Sequence, residues 1–535
     1  MLCGSAFVAA ARSPYKHRVY LLAIDLGTSG PKVALVSDNG DIAASATRAI
    51  QTHFVPPHGA EQDPEEIWDA ILDAIDEVLR RASVPPAEIE GITCASQYFS
   101  IVPVDREARP LDRLILWMDT RGAPWTRSLY EHHAEAFPTW VDVHGMVPLP
   151  SGIDSLSHML WVRHERPELY ARTHKFLEPV DYVTARLSGE CVSSLCTAFP
   201  LLLTDNRDLS RCEYAPELLA MAGIDREKLA GLVAPNRCIG SLRPQLAQRL
   251  GLEPGTRIFS GVNDTQAVSV GTATFRGTGG INIGTTCQVL AHVPDKRADF
   301  ENEILSMPSP IAGRYMAMAE NGLGAKTLDH FLRNIVFASD ALADHAAANP
   351  FAGVDAAVES VAPGSDGLLF LPWLNGSSSP CSDPNARGGF LNLSLRSTRS
   401  HLVRAVLEGV AFNLRWLLPA VEKLAETRFD ELMFAGGGAV SDAWAQIMAD
   451  MMNRPVAQLA DARHVNNRAT AFLGFVELGV LGLDDIDRLC RVRRRYEPRP
   501  AHTATYDHLF PQFLAAFERN RPIFGALNGD SGASS

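Results

Sequence analysis

Residues 23–30 read AIDLGTSG, and residues 281–287, in the second half of the chain, read INIGTTC. Each is an apolar strand that ends in Gly-Thr followed by a second hydroxyl residue. The first begins as VYLLAIDL from Val19, the continuous apolar run of a strand buried on both faces. A tight hairpin at such a tip lets the backbone come close to a ligand, because glycine carries no Cβ. Backbone N–H groups and hydroxyls then project from it, and polyphosphate oxygens are their natural acceptors. Thr28 and Ser29 in the first tip, and Gly284 and Thr285 in the second, are therefore the expected phosphate contacts; ordinary turn chemistry is the other reading. Asp25 closes the first strand. A carboxylate there holds magnesium through water, since Mg²⁺ keeps several waters and takes few protein ligands; shaping the loop as an Asx-turn is the alternative. No G-x-x-x-x-G-K-[ST] loop is present.

Outward from the first tip, KVALVSDNGDIAASATRAI reads as strand, turn and strand. DPEEIWDAILDAIDEVLRRA reads as a helix capped by Asp63, with Pro64 at its first position and an apolar stripe of Ile67, Ile71, Ile75, Val78 and Leu79. TRIFSGVNDTQAVSVGTA gives strand, turn and a small-residue helix. GGINIGTTCQVLAHV repeats the opening hairpin, RSHLVRAVLEGVAFNLRWLLPAVEKL is a long helix, and ELMFAGGGAVSDAWAQIMADMMNRPV is strand, glycine turn and helix. Helices and strands alternate throughout, so the fold class is α/β. The echo implies two related domains, expected at residues 19–255 and 256–500. Residues 1–18 are expected to be a disordered extension and 501–535 a C-terminal helix with a disordered Gly/Ser-rich tail.

The 535 residues carry 49 Lys and Arg against 62 Asp and Glu, a net charge of −13. That balance argues against nucleic-acid or anionic-membrane partners and leaves nucleotides open, since backbone amides and magnesium bind those. Nine scattered cysteines form no C-x-x-C pair and there is no H-E-x-x-H, so a reduced, cytoplasmic setting without a structural metal is expected. No run approaches 18 apolar residues.

The residues also resemble a family. AIDLGTSGPKVALV is similar to the first phosphate motif of the FGGY carbohydrate kinases, of the actin-like ATPase superfamily. GAEQDPEEIW, ILWMDTRG (W-x-D-x-R), the long stretch from GLLFLPWLNG to EGVAFNLR, and FAGGGAVSDAWAQIMAD resemble further motifs of that family. The likeness spans roughly residues 20–499 and, within the family, is greatest to xylulose kinases. It implies two actin-like (ribonuclease H-like) domains flanking a nucleotide and sugar cleft. It implies transfer of the γ-phosphoryl of Mg-ATP to a sugar hydroxyl, with ATP and Mg²⁺ as cofactors and D-xylulose or a related ketopentose as acceptor; a homodimer is left open.

The resemblance assigns Asp264, in GVNDTQAVSVG, as catalytic base. The chemistry agrees, because a carboxylate must take the hydroxyl proton as the phosphoryl group moves in line; an N-cap is the alternative role. Family position makes Gly437, Gly438 and Ala439 an adenosine-binding turn, with Gly324 and Asp442 as further nucleotide contacts. Asp119 and Arg121 face the sugar or buttress the cleft. His132, His133 and His158 are read as surface or core residues without a role.

The departures gather on the acceptor side. Xylulose kinases carry G-Q-M-H-G where this chain has SQYFS, so Tyr98 and Phe99 replace a Met-His pair. Thr265 follows the base where Asn or Gln is usual, and Ser377 and Ser378 stand in place of Glu-Arg. A site built to hydrogen-bond a hydroxyl discriminates by roughly 10⁴-fold through that partner. A pentitol, tetritol or glycerol-like acceptor is therefore an alternative, as is a non-catalytic sugar- or nucleotide-sensing homologue.

Overall fold

The computed structural model describes residues 18–529 except 343. The expectations for the first 17 residues and for 530–535 lie outside the described residues. The chain forms two compact units. One comprises residues up to Gly271 with Met307–Tyr315 and Asn466–Leu489; the other comprises Thr272–Ser306, Met316–Val465 and the chain from Cys490.

In the first unit, β1 (Tyr20–Gly27) and β2 (Gly30–Ser37) form the hairpin read from the sequence, and β3 (Ile42–Thr47) continues it. α1 (Pro64–Ala82) begins at Asp63, whose Oδ1 accepts the Glu65 N–H at 2.9 Å, a cap worth about 1 kcal/mol. β4 (Ile89–Ser96) runs parallel to β1 on the side opposite β2. β5 (Cys238–Ser241), β6 (Arg257–Phe259) and β7 (Val262–Asn263) follow, and α2 (Asp264–Gly271) leaves the end of β7. The sheet order is β5-β6-β4-β1-β2-β3, with β7 also on β4.

β1 is buried along its length except at Gly27, which explains its unbroken apolar run. On one face Leu22, Ile24, Val33 and Leu35 meet the α1 stripe of Ile67, Ile71, Ile75 and Val78. On the other lies the helix Val465–Glu477, whose residues from Asn466 onward belong to this unit. A Cβ on its Gly474 would stand 2.7 Å from Leu21 Cδ1, so this helix packs at a distance only glycine permits. The sequence boundary at Thr256 falls inside this unit, because β6 and β7 pair with β4.

The second unit repeats the central arrangement. β8 (Gly279–Ile283) and β9 (Thr286–Val293) make an antiparallel hairpin, followed by β10 (Ala298–Asp299), β11 (Ile304–Pro308) and β12 (Tyr315–Leu323). α3 (Arg399–Ala425) precedes β13 (Leu432–Ala435), which runs parallel to β8. α4 (Asp442–Met452), β14 (Val456–Leu459), β15 (Val492–Tyr496) and α5 (Pro500–Asn528) complete it. The order is β10-β11-β12-β9-β8-β13-β14-β15. The trio β4-β1-β2 is thus matched by β13-β8-β9, and the repeated sequence is a repeated topology. The C-terminal helix expected within residues 501–535 is α5, which extends through Asn528.

Candidate active site

In the first unit three parallel strands finish at one level. Asp25 and Leu26 of β1 are in register with Ala95 and Ser96 of β4, which pair in turn with Val262 and Asn263 of β7. Asp25 and the start of α2 at Asp264 therefore flank the end of β4, roughly 10 Å apart by two strand spacings. Carboxyl ends of parallel strands are where α/β sheets place ligands.

Asp25 is nearly buried, 9% exposed. Its Oδ2 accepts from Lys32 Nζ at 3.2 Å and its Oδ1 from Asn466 Nδ2 at 3.1 Å. Lys32 is the cross-strand partner of Asp25 in the hairpin, and Asn467 fixes the strand by donating to the carbonyls of Ala23 and Lys32. With an ammonium and an amide already on the carboxylate, and no group of three His, Cys, Asp or Glu arranged for a metal among the described residues, the donor set suits a magnesium ion held through water and phosphate rather than in a protein cage.

The hairpin tip is tight. Gly30 has φ +131, and a Cβ there would meet the Arg48 carbonyl at 2.1 Å. Ser29 is exposed and Thr28 half-buried. The Thr28 hydroxyl donates to Gln97 Oε1 at 2.6 Å and accepts from Trp117 Nε1 at 3.1 Å. Gln97 Nε2 donates to Gln62 Oε1 at 3.1 Å, and Gln62 Nε2 to the Thr28 carbonyl at 2.7 Å. The ring of bonds closes on Thr28 itself, through two glutamines that are 4% and 0% exposed.

Asp264 is the first residue of α2 and half-buried; its Oδ1 accepts the Thr265 N–H at 2.7 Å. The cap is supplied next door: Gln266 Oε1 accepts the Asn263 N–H at 3.1 Å, half of a capping box. Asn263 is anchored to the Cys196 carbonyl and Gln266 to that of Pro308, each at 2.8 Å. Asp264 thus begins a helix held by its neighbours. Thr265 is buried.

Tyr98 and Phe99 follow the end of β4, their ring centroids 5.0 Å apart. Phe99 has φ +56, a left-handed conformation that a bulky residue adopts at a cost of order 1–3 kcal/mol. The turn is held by Ser100, whose N–H donates to Glu178 Oε2 at 3.3 Å and whose hydroxyl accepts the Trp117 N–H at 3.1 Å. Glu178 is fully buried against Ser155, and burial pushes its pKa well above the usual carboxylate range.

Asp119 is fully buried. It accepts the N–H groups of Ala60 and Arg121, each at 2.9 Å, and pairs with the Arg121 guanidinium, which also reaches Glu61 at 2.7 Å and lies 4.0 Å over the Trp161 ring. Burial lowers the Arg121 pKa, but the bonds to Asp119 and Glu61 outweigh it and raise it. These contacts tie the pair into the surrounding backbone and side chains. His158 is buried, with Nε2 on the Asp119 carbonyl; burial takes its pKa down to about 4.

In the second unit the nucleotide candidates come together. The Gly324 and Ala325 N–H groups donate to the carbonyls of Thr285 and Gly284, each at 2.8 Å. A Cβ on Gly324 would lie 2.4 Å from the Thr286 carbonyl oxygen. Asn282 of β8 pairs with Ala435 of β13, which brings the glycine turn onto the hairpin. Cβ atoms on Gly436 and Gly438 would fall 2.5 Å from Asn282 Oδ1 and 2.7 Å from Ile283 Cγ2, whereas one on Gly437 meets nothing within 4 Å. Ala439 is buried and its carbonyl accepts from Gln458. Ser441 caps α4 through the Trp444 N–H. Asp442 is bound by Gln458 at 3.1 Å and Arg493 at 3.1 Å. Its own burial is outweighed by Gln458, Tyr496, Arg493 and Arg494, so its pKa is lowered. Ser377 and Ser378 are held by the Asn321 side chain.

Sequence reasoning did not single out Gln62, Gln97, Trp117, Lys32 or Asn466. The first three lie inside motifs it quoted. Lys32 was legible as the strand residue facing Asp25 across the hairpin. Nothing local marks Asn466.

The family model for the FGGY carbohydrate kinase N-terminal domain matches residues 20–271, and that for the C-terminal domain residues 279–465. A xylulose kinase of Bacillus subtilis (strain 168) is 26% identical over 95% of this chain and 98% of its own. A gluconokinase of the same organism is 26% identical over 92% and 95%. The crystal structure of gluconate kinase from Lactobacillus acidophilus superposes with a TM-score of 0.82 at 23% identity, covering 96% of this chain and 100% of its own. No helix among the described residues is long and apolar enough to cross a membrane. The two domain models cover most of the chain, and it belongs to the FGGY family of carbohydrate kinases.

Proposed function

We propose that this carbohydrate kinase uses Mg-ATP, that Asp264 is its base, and that D-xylulose or a related ketopentose is its first candidate acceptor. The observation that carries the reading is the placement of Asp264 at the carboxyl end of β7, two strands from Asp25 and beside the Tyr98–Phe99 turn. The Asp264 carboxylate takes the acceptor hydroxyl proton as the new O–P bond forms and the bond to the β-phosphate oxygen breaks, releasing ADP. Ser29, the backbone N–H groups of the first tip and Lys32 offer donors to phosphate. Thr285 offers the second set, on a tip where the N–H groups of Gly284 and Gly324 are bonded to the carbonyls of Thr286 and Thr285, and the turn through Gly437, Gly438 and Ala439 takes adenosine. Asp442 anchors that turn's helix through Arg493 and Gln458 rather than reaching the base. Asp25, through water, would hold magnesium, which neutralises phosphate charge when bound.

A second reading is favoured by one observation. Phe99 stands where an imidazole is expected, and its ring carries no hydrogen-bond donor. That suits a less hydroxylated acceptor, a pentitol, tetritol or glycerol-like polyol, with aromatic faces against its carbon chain. Coupled ADP release across ketopentoses, aldonates, pentitols, tetritols and glycerol tests both. A ketopentose giving the highest kcat/KM supports the first reading, and a polyol the second. Binding without ADP release from any of them would make the protein a sensor and refute both.

A further inference from the structure

The Thr28 hydroxyl is expected from the sequence to grip phosphate. In the structure its proton points at Gln97 Oε1 and one lone pair takes the Trp117 indole N–H. What remains is an acceptor, which a phosphate oxygen cannot use. The bonds instead run in one direction, from Trp117 to Thr28, from Thr28 to Gln97, from Gln97 to Gln62, and from Gln62 back to the Thr28 carbonyl. Every donor and acceptor is fixed by the next, which sets both amide orientations. Gln62 also reaches Thr52 Oγ1 at 3.2 Å, and the Gln97 N–H donates to the Leu26 carbonyl at 2.8 Å. The segment carrying Tyr98 and Phe99, the segment entering α1, and the W-x-D-x-R segment therefore all converge on one residue at the tip of the first hairpin.

We propose that Thr28 is a positioning residue, and that the ring it closes with Gln97, Gln62 and Trp117 ties the setting of the first phosphate hairpin to the acceptor turn, coupling nucleotide binding to acceptor binding. The proposal rests on the reading of Tyr98–Phe99 as the acceptor turn. A displacement of that turn by a bound sugar moves Gln97, and Gln97 cannot move without Thr28 unless a buried amide loses its partner.

The test measures ADP affinity by calorimetry with and without the acceptor of highest turnover. It uses the wild type, Thr28→Val, Thr28→Ser and Gln62→Met, with Trp117→Phe as a milder variant should Gln62→Met fail to fold. The wild type is expected to bind ADP at least about fivefold more tightly with acceptor present, the lower end of typical couplings. Thr28→Val and Gln62→Met should each bring that ratio near one, the double variant should go no further, and Thr28→Ser should restore it. Gln62→Met should also weaken ADP binding several-fold with no acceptor present, because its amide holds the Thr28 carbonyl. If Gln62→Met leaves ADP affinity unchanged, or if Thr28→Val weakens ADP equally with and without acceptor, Thr28 contacts phosphate directly and the proposal is overturned. Phe99→Ala separates the two levels: an unchanged acceptor KM would sink the acceptor-turn reading itself, whereas a raised KM alongside intact coupling in the ring variants would sink only the ring.

Discussion

Gly436 and Gly437 are adjacent in the glycine turn after β13, yet alanine at each should act through a different cause. Gly436 has φ 87 and ψ −177, a region essentially closed to residues with a Cβ. An alanine Cβ there would stand 2.5 Å from Asn282 Oδ1 and 2.6 Å from the Ile283 carbonyl oxygen. Backbone strain of order 1–3 kcal/mol adds to displacement of the β8 end, for a total of about 2–4 kcal/mol. At roughly 2–4 °C per kcal/mol for a unit of this size, the midpoint of thermal unfolding should fall by roughly 5–15 °C. Gly437 lacks a positive φ, and its added Cβ meets nothing within 4 Å. Gly437→Ala should be neutral or stabilising by up to about 1 kcal/mol. If the turn lies against adenosine, however, that methyl occupies ligand space, and KM for ATP should rise at least about tenfold with the acceptor KM unchanged. Thermal scans with and without ADP, beside steady-state kinetics, read both effects. A Gly437→Ala enzyme with wild-type KM for ATP would refute the nucleotide assignment of the turn, and a Gly436→Ala protein melting with the wild type would refute the steric argument.

Three further outcomes follow from the first unit. Arg121→Met leaves Asp119 buried without its counter-charge and should lower stability in urea by about 3–5 kcal/mol; a change below about 1 kcal/mol would mean the clasp is not structural. Phe99→His, which restores an imidazole to the acceptor turn, should raise kcat/KM for a ketopentose relative to a tetritol by at least about tenfold, and an unchanged ratio would place the residue outside the acceptor site. Asp181, buried with Ser193 on one oxygen, has its pKa pushed up to about 7 by burial. The folded state therefore keeps a proton that the unfolded chain has released above about pH 4. Its contribution to stability is full below that value and is lost as pH rises toward 7, on the order of 1.4 kcal/mol per pH unit. Urea unfolding between pH 4.5 and 7.5 should show a shallower decline for Asp181→Asn than for the wild type; parallel curves would contradict the shift.

What the sequence made legible was local. The Asp63–Pro64 start of α1, the two Gly-Thr hairpins and the glycine turn ahead of α4 each carry their own signal within a few residues, and the structure has them where the sequence places them. The meeting of the second tip with the glycine turn was not legible in this way, since it rests on the parallel pairing of β8 with β13. The return of Asn466 and Asn467 to Asp25 was not either: it depends on a helix more than four hundred residues away in the chain. Nor was the fate of the Thr28 hydroxyl, since a threonine at a hairpin tip gives no sign of which way its proton points. Asp442 shows the same limit. Its place beside the glycine turn is local, but the arginines that hold its carboxylate come from β15. The start of the second unit was misplaced to Thr256 by the echo of a strand, Arg257–Phe259, that β4 recruits into the first sheet.

The central claim is that Asp264 takes the acceptor proton. Replacing its carboxylate by an amide keeps the shape and leaves the cap from Asn263 and Gln266 in place, so Asp264→Asn should fold like the wild type. Measured with the best acceptor, its rate of ADP release should fall by at least about 10³-fold, within the range of a positioned general base, while calorimetry returns an ATP affinity within about threefold of the wild type. Turnover within about tenfold of the wild type by that folded, ATP-binding variant would show that another group takes the proton.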